Sequence, residues 1–161
     1  MVARLAEIPG IGVDSAQQII AEVGPEAASF PTSDNLASWV GVCPGRQESA
    51  AVSVSDRSPK GNQAMRRILN QCANAAVKAK GSIFEAYYSR VVPRLGNNKA
   101  VWFVAHKICT VVWVVLHGKK RYIEFGPSPN LQAMRKRASR LATQLRRLGY
   151  TVIPPAPEAV A

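Results

Sequence analysis

Apolar residues recur at helical spacing along most of this chain, and turn residues punctuate them. Residues 4–12 read as a short helix running into the tight turn Pro9-Gly10-Ile11-Gly12. Val13 to Val23 carries a stripe of Ala16, Ile19, Ile20 and Val23 and is closed by Gly24-Pro25, which predicts a second helix. Thr32-Ser33-Asp34 is a capping cluster, and the helix it opens should turn Leu36, Trp39 and Val40 inward. Residues 62–80 form the next predicted helix: Met65, Ile68, Leu69, Cys72 and Ala76 make one face, with Arg66, Arg67, Asn70, Asn74 and Lys78 on the other. Residues 82–92 continue the pattern until Pro93 and Gly96, where a break is expected. The last periodic segment, residues 130–148, has a seam of Leu131, Met134, Ala138, Leu141, Leu145 and Leu148 in an otherwise basic helix. Tyr150 to Ile153 could form a strand, and a loose tail rich in Pro and Ala follows.

Two stretches depart from this rhythm. Residues 41–62 (GVCPGRQESAAVSVSDRSPKGN) are rich in Gly, Pro and Ser, with a possible short strand or hairpin arm at Ala51 to Ser55. A loop of that length inside a compact domain tends to be functional or disordered. From Ala100 to Leu116 the chain is apolar nearly all round. That run is 17 residues long and holds His106, Lys107 and Thr110, and charge near a bilayer centre is costly, so a buried central helix is expected rather than a membrane span. The expected fold is mainly α: a helix-hairpin-helix and a small helical bundle over residues 1–126, with a long irregular loop and little β, then a basic amphipathic helix and tail over 127–161.

Composition changes the picture through the placement of charge. The 161 residues are 47% apolar, enough for a folded core without metal or disulfides, and carry a net charge of +11. Residues 1–56 hold seven acidic and two basic residues, a net of −5; residues 57–161 hold 19 basic and three acidic, a net of +16. So uneven a distribution favours a polyanionic partner, with nucleic acid the default. Cys43, Cys72 and Cys109 form no CxxC or CxxH pair, which argues against a zinc site and for reduced thiols in a cytoplasmic protein; Cys72 and Cys109 read as core fillers.

Two segments could carry chemistry. Ile8-Pro9-Gly10-Ile11-Gly12 followed by Ala16 has the spacing of a helix-hairpin-helix, whose glycines let a phosphate approach backbone N–H groups at the start of the second helix. Such contacts ignore base sequence, and Asp14 would oppose them. The second segment holds Ser49, with Arg46 before it and Arg57, Lys60, Arg66 and Arg67 after it. Guanidinium groups can stabilise a serine alkoxide and neutralise a phosphate under attack, which suits phosphodiester exchange through a phosphoserine link. By spacing alone Ser49 is a surface serine, and Ser53, Ser55 and Ser58 compete for any role. A hydrolase triad would need His106 or His117, and neither has a nucleophile elbow to serve.

The ordered set IPGIG, LASWVGVCPGRQES, KGNQAMRRIL and NNKAVWFVAHKI, over about residues 5–120, resembles the transposases of insertion sequences 110, 116 and 902. The resemblance implies a C-terminal domain with a serine nucleophile in the loop after the GxxP segment, a position that falls on Ser49. It also implies an N-terminal half related to Holliday-junction resolvases, whose DEDD carboxylates bind magnesium, and a coiled coil between the halves. Family members recombine DNA as oligomers guided by a structured RNA, and halves from different subunits are thought to share one active site. Many relatives have Ser-Gly where this chain has Ser49-Ala50. The ten acidic residues here make no DEDD set, so the nuclease half is expected to be absent, this chain to hold no cofactor, and transposition to need the other half.

The resulting expectation is a DNA-binding transposase domain working at the bacterial nucleoid. Ser49 is its candidate nucleophile. Its candidate nucleic-acid contacts are Gly10, Gly12, Arg46, Arg57, Lys60, Arg66 and Arg67, with Arg135, Arg137 and Arg140 of the basic helix facing DNA or guide RNA. The full-length protein is expected to be a homo-oligomer with no membrane association. The rival readings are a non-catalytic nucleic-acid-binding module and an assembly domain.

Overall fold

A computed structural model describes residues 1–43, 48–49, 52–53, 60–124, 126 and 131–152; for 48–49, 52–53 and 131–137 only the backbone is described. The described chain is mainly helical, with elements α1 (Val2–Leu5), α2 (Val13–Val23), α3 (Ser33–Val40), β1 (Glu48–Ser49), β2 (Val52–Ser53), α4 (Gln63–Ala76), α5 (Ile83–His117) and α6 (Leu131–Arg147). It divides into two compact units, Met1–Pro127 and Ser128–Ala161.

The first unit is built around α5, which packs chiefly on α4 and α3 and also meets α1. Its buried residues from Ala100 to Leu116 share a single core with Met65, Ile68, Leu69 and Cys72 of α4, Leu36 and Val40 of α3, and Ile19 of α2, which packs on α1 and α4. Burying each such Leu or Ile contributes about 1.5–3 kcal/mol, so this shared stripe is what orders the helices. α5 is long and apolar enough to cross a membrane by length and composition, and half of its most apolar window is buried inside the fold.

Local chemistry sets the ends of the helices. The Thr32 hydroxyl accepts from the Asn35 N–H at 3.2 Å, Asn62 Oδ1 from the Met65 N–H at 2.8 Å, and Ser82 Oγ from the Glu85 N–H at 3.1 Å. Each cap satisfies a donor that the first helical turn leaves open. After α5 the chain turns back: Glu124 Oε1 accepts from the Ile83 N–H at 3.2 Å, Glu124 Oε2 from the Tyr122 hydroxyl at 2.7 Å, and Tyr122 stacks on Phe84.

Several elements differ from the sequence expectation. The first helix ends at Leu5, and residues 6–11 continue as turns, with the Ile8 N–H bonded to Leu5 O and the Ile11 N–H to Ile8 O. The α4 helix stops at Ala76 and a turn runs to Gly81. Pro93 does not end the helix it sits in; Gly96 does, at φ 74 and ψ 166, a backbone region essentially restricted to glycine. Trp39 is 38% exposed and leans on the Phe30 ring, because Leu36, Ala37 and Val40 already fill the buried face of α3. Residues 150–152 are not a strand, and Ile153 lies outside the described residues. The only described β structure is β1 paired antiparallel with β2, Glu48 opposite Ser53 and Ser49 opposite Val52.

In the second unit, α6 carries no acidic residue, and Leu141, Leu145 and Leu148 of its seam are 50%, 41% and 73% exposed. Within this unit the seam is uncovered at those positions.

Candidate nucleic-acid interface

The two ends of the long loop are held together, and that closure defines the site. Gly41 caps α3 in the left-handed conformation at φ 76. At the far end the Asn62 N–H donates to Trp39 O at 3.1 Å. Gly61 lies so close to the backbone of Val40 and Gly41 that any Cβ there would overlap it. Arg66, one turn into α4, donates from its guanidinium to Gly41 O and lies over the Trp102 ring at 4.5 Å. The chain therefore leaves the fold after Gly41 and re-enters it at Gly61 through one closed stem.

Ser49 lies on this loop, with its backbone in the β1–β2 ladder. Arg46 and Arg57 lie outside the described residues, as do the competing serines Ser55 and Ser58. At the stem, Lys60 and Arg67 are exposed. Arg66 is committed to Gly41 and Trp102, which makes it a strut of the stem more than a free phosphate ligand.

Beside the stem runs an open groove lined by Gln63, Arg66, Arg67, Asn70, Gln71 and Trp102. Four of these residues, Gln63, Asn70, Gln71 and Trp102, were not among the nucleic-acid contacts expected from the sequence. Gln63, Asn70 and Gln71 follow helical spacing on the polar face of a well-predicted helix, so they were findable; Trp102 was hidden in a uniformly apolar run.

The two hairpin glycines separate in role. Gly10, at φ 89, faces the α4 backbone, where an added Cβ would lie 2.7 Å from Ala76 N and also overlap Cys72 O. Its missing side chain serves helix packing. Gly12 is the N-cap of α2 and has nothing within 4 Å of where a Cβ would stand, so the start of α2 is open to a ligand. Asp14 is exposed in the same turn. Gly10 meets α4 between Cys72 and Ala76, roughly 9–15 Å along the helix from Arg66, so the glycine turn sits towards the end of α4 away from the loop stem. Arg140 is exposed on α6, and only the backbone of Arg135 and Arg137 is described.

The remaining titratable groups are structural in character. Burial, reinforced by the Lys107 charge, lowers the His106 pKa, and its Nδ1 is buried without a partner among the described residues. His117 stacks on Trp113. Burial pushes the Cys109 thiol up to about 12 and raises Cys72 and Cys43 as well, the opposite of an activated nucleophile. Among the described residues no group of three or more His, Cys, Asp and Glu is placed to hold a metal.

Fold and site together define a mainly helical domain that presents a stem-closed loop beside a basic, amide-rich groove. Residues 2–89, which include the glycine turn, the loop and all of α4, match the family described as "Transposase IS116/IS110/IS902 family". The chain is 28% identical over 123 residues to the "Transposase for insertion sequence element IS1111A" of Coxiella burnetii, covering 74% of this chain and 34% of that protein. It is 32% identical over 114 residues to the "Insertion element IS110 uncharacterized 43.6 kDa protein" of Streptomyces coelicolor, covering 70% and 28%. The chain thus belongs to the IS116/IS110/IS902 transposase family, and it spans about a third of the length of these relatives.

Proposed function

We propose that this chain is the DNA-engaging domain of an insertion-sequence transposase and that the Ser49 hydroxyl is its nucleophile for strand exchange. The observation that carries the reading is the family match across residues 2–89, which spans the Ser49 loop. The closed stem supports it, since a loop pinned at both ends by Gly61, Asn62 and Arg66 can hold a reacting group in register.

In this reading Ser49 Oγ attacks a backbone phosphorus. An Oγ–P bond forms, a P–O bond of the strand breaks, and the serine proton passes to the departing strand oxygen. Attack by another strand's hydroxyl reverses the step, so phosphodiester energy is conserved. Lys60, Arg67 and the loop arginines Arg46 and Arg57 neutralise the phosphate, and the open N-terminus of α2 at Gly12 takes a second one. Magnesium belongs to the acidic half that the family resemblance implies, and DNA exchange, guide RNA and oligomer formation are properties of the whole recombinase in the bacterial cytoplasm.

Ser49→Ala tests this with the acidic half supplied. Strand exchange should vanish while DNA affinity stays within about twofold, because the hydroxyl contributes little to charge-dominated binding. Undiminished exchange would leave a non-catalytic binding module. A second reading, an assembly domain, draws on the exposed Leu141 and Leu145 of α6 and Leu148 just beyond it, which offer an apolar seam to another copy.

A further inference from the structure

The groove beside the loop stem has a composition that phosphate binding alone does not require. Of its six lining residues, Gln63, Asn70 and Gln71 carry side-chain amides. An amide both donates and accepts, which matches the mixed pattern on a nucleobase edge, whereas a phosphate, which only accepts, engages the donor half alone. Asn74 Nδ2 donates to Asn70 Oδ1 at 3.1 Å and to Asn70 O at 2.9 Å, which orients the Asn70 amide with its nitrogen left to donate. Trp102 adds an aromatic surface, held by the Arg66 guanidinium over its ring. Arg67 supplies an exposed cation at the rim.

No carboxylate lines the groove, and Glu22, near the start of α4, is engaged by Asn62 Nδ2 at 2.9 Å. The site is therefore a shallow, widely open groove of about 490 Å³, cationic, with amides set beside a largely apolar lining. Stacking on the Trp102 and Arg66 planes needs a free base face, which a base stacked inside a duplex lacks and an unstacked base on a continuing strand offers.

We propose that this groove receives an unpaired nucleobase, with Gln63, Asn70 and Gln71 reading its edge and Arg67 meeting the adjoining phosphate. The inference rests on the DNA-engaging reading and deepens it: the chain itself discriminates at one nucleotide next to the Ser49 loop. Because Arg66 joins the groove floor to Gly41, a base seated there lies beside the loop stem.

Fluorescence anisotropy of the 161-residue chain with labelled single-stranded homopolymers of dA, dC and dT, and with duplexes of the same strands, tests it. The single strands should differ in affinity by about tenfold, the size of one well-made amide–base contact. Gln63→Ala combined with Gln71→Ala, both at exposed positions, should collapse that spread and leave the salt dependence unchanged. Arg67→Ala should weaken every strand alike and reduce the salt slope by about one. Equal binding of all homopolymers by the wild type, a spread that survives the double variant, or the same spread on duplexes would each overturn the nucleobase groove while leaving DNA engagement intact. Absence of any nucleic-acid binding would sink both readings together.

Discussion

Gly10 and Gly12 stand two residues apart in one turn, yet their substitutions should have different consequences. At Gly10 an alanine must adopt a left-handed backbone, costing about 1–2 kcal/mol, and push into α4, costing about 1–3 kcal/mol more. At Gly12 the backbone is already extended and the space open, so alanine should cost under about 1 kcal/mol through weaker capping. Urea denaturation of the two variants checks this, and equal losses would refute the division of roles. The tight turn and its glycines were legible in the sequence. Which glycine packs and which stays open was not, because that depends on α4, more than fifty positions away. The acidic residues show the same limit: Glu7 and Glu26 looked like part of an acidic N-terminal region, and the fold pairs them with Arg121 and Lys119 at 2.6 and 2.8 Å.

At the scale of elements, the loop stem depends on one side chain. Arg66→Ala removes a charged bond to Gly41 O and the stack on Trp102, and should lower stability by about 1–3 kcal/mol. Arg66→Lys should recover only part of that, since an ammonium lacks the planar face. A denaturation midpoint unchanged by Arg66→Ala would mean that Gly61 and Asn62 alone close the stem. The helices themselves were readable from apolar period, and the start of α3 from its capping cluster at Thr32; the Asn62 cap of α4 was not read. The errors came where tertiary packing overrides local signals. Pro93 is tolerated within a helix whose real break is a glycine, and Trp39 lost its inward place to smaller neighbours. The Ser49 loop was recognisable as irregular, but its closed base was invisible, since it joins residues 39–41 to residues 61–66.

For the molecule as a whole, charge connects stability and function. Hydrogen bonds and ion pairs to Arg121 and Lys119 hold the Glu7 and Glu26 carboxyls below their ordinary value of 4.5. A lowered folded-state value means that their contribution is complete above about pH 4.5 and fades as pH falls through the folded values. Glu7→Gln should accordingly melt slightly below wild type at neutral pH, with the gap closing in acid; a gap that widened in acid would contradict the pairing. Such pairing leaves the net charge of the chain at +11, which favours a polyanionic partner. The most direct test of the account is the affinity of the intact chain for duplex DNA as salt is raised. The account predicts a log–log slope of about −3 or steeper, from three or more neutralised phosphates. A flat dependence, or no binding even at low salt, would contradict it.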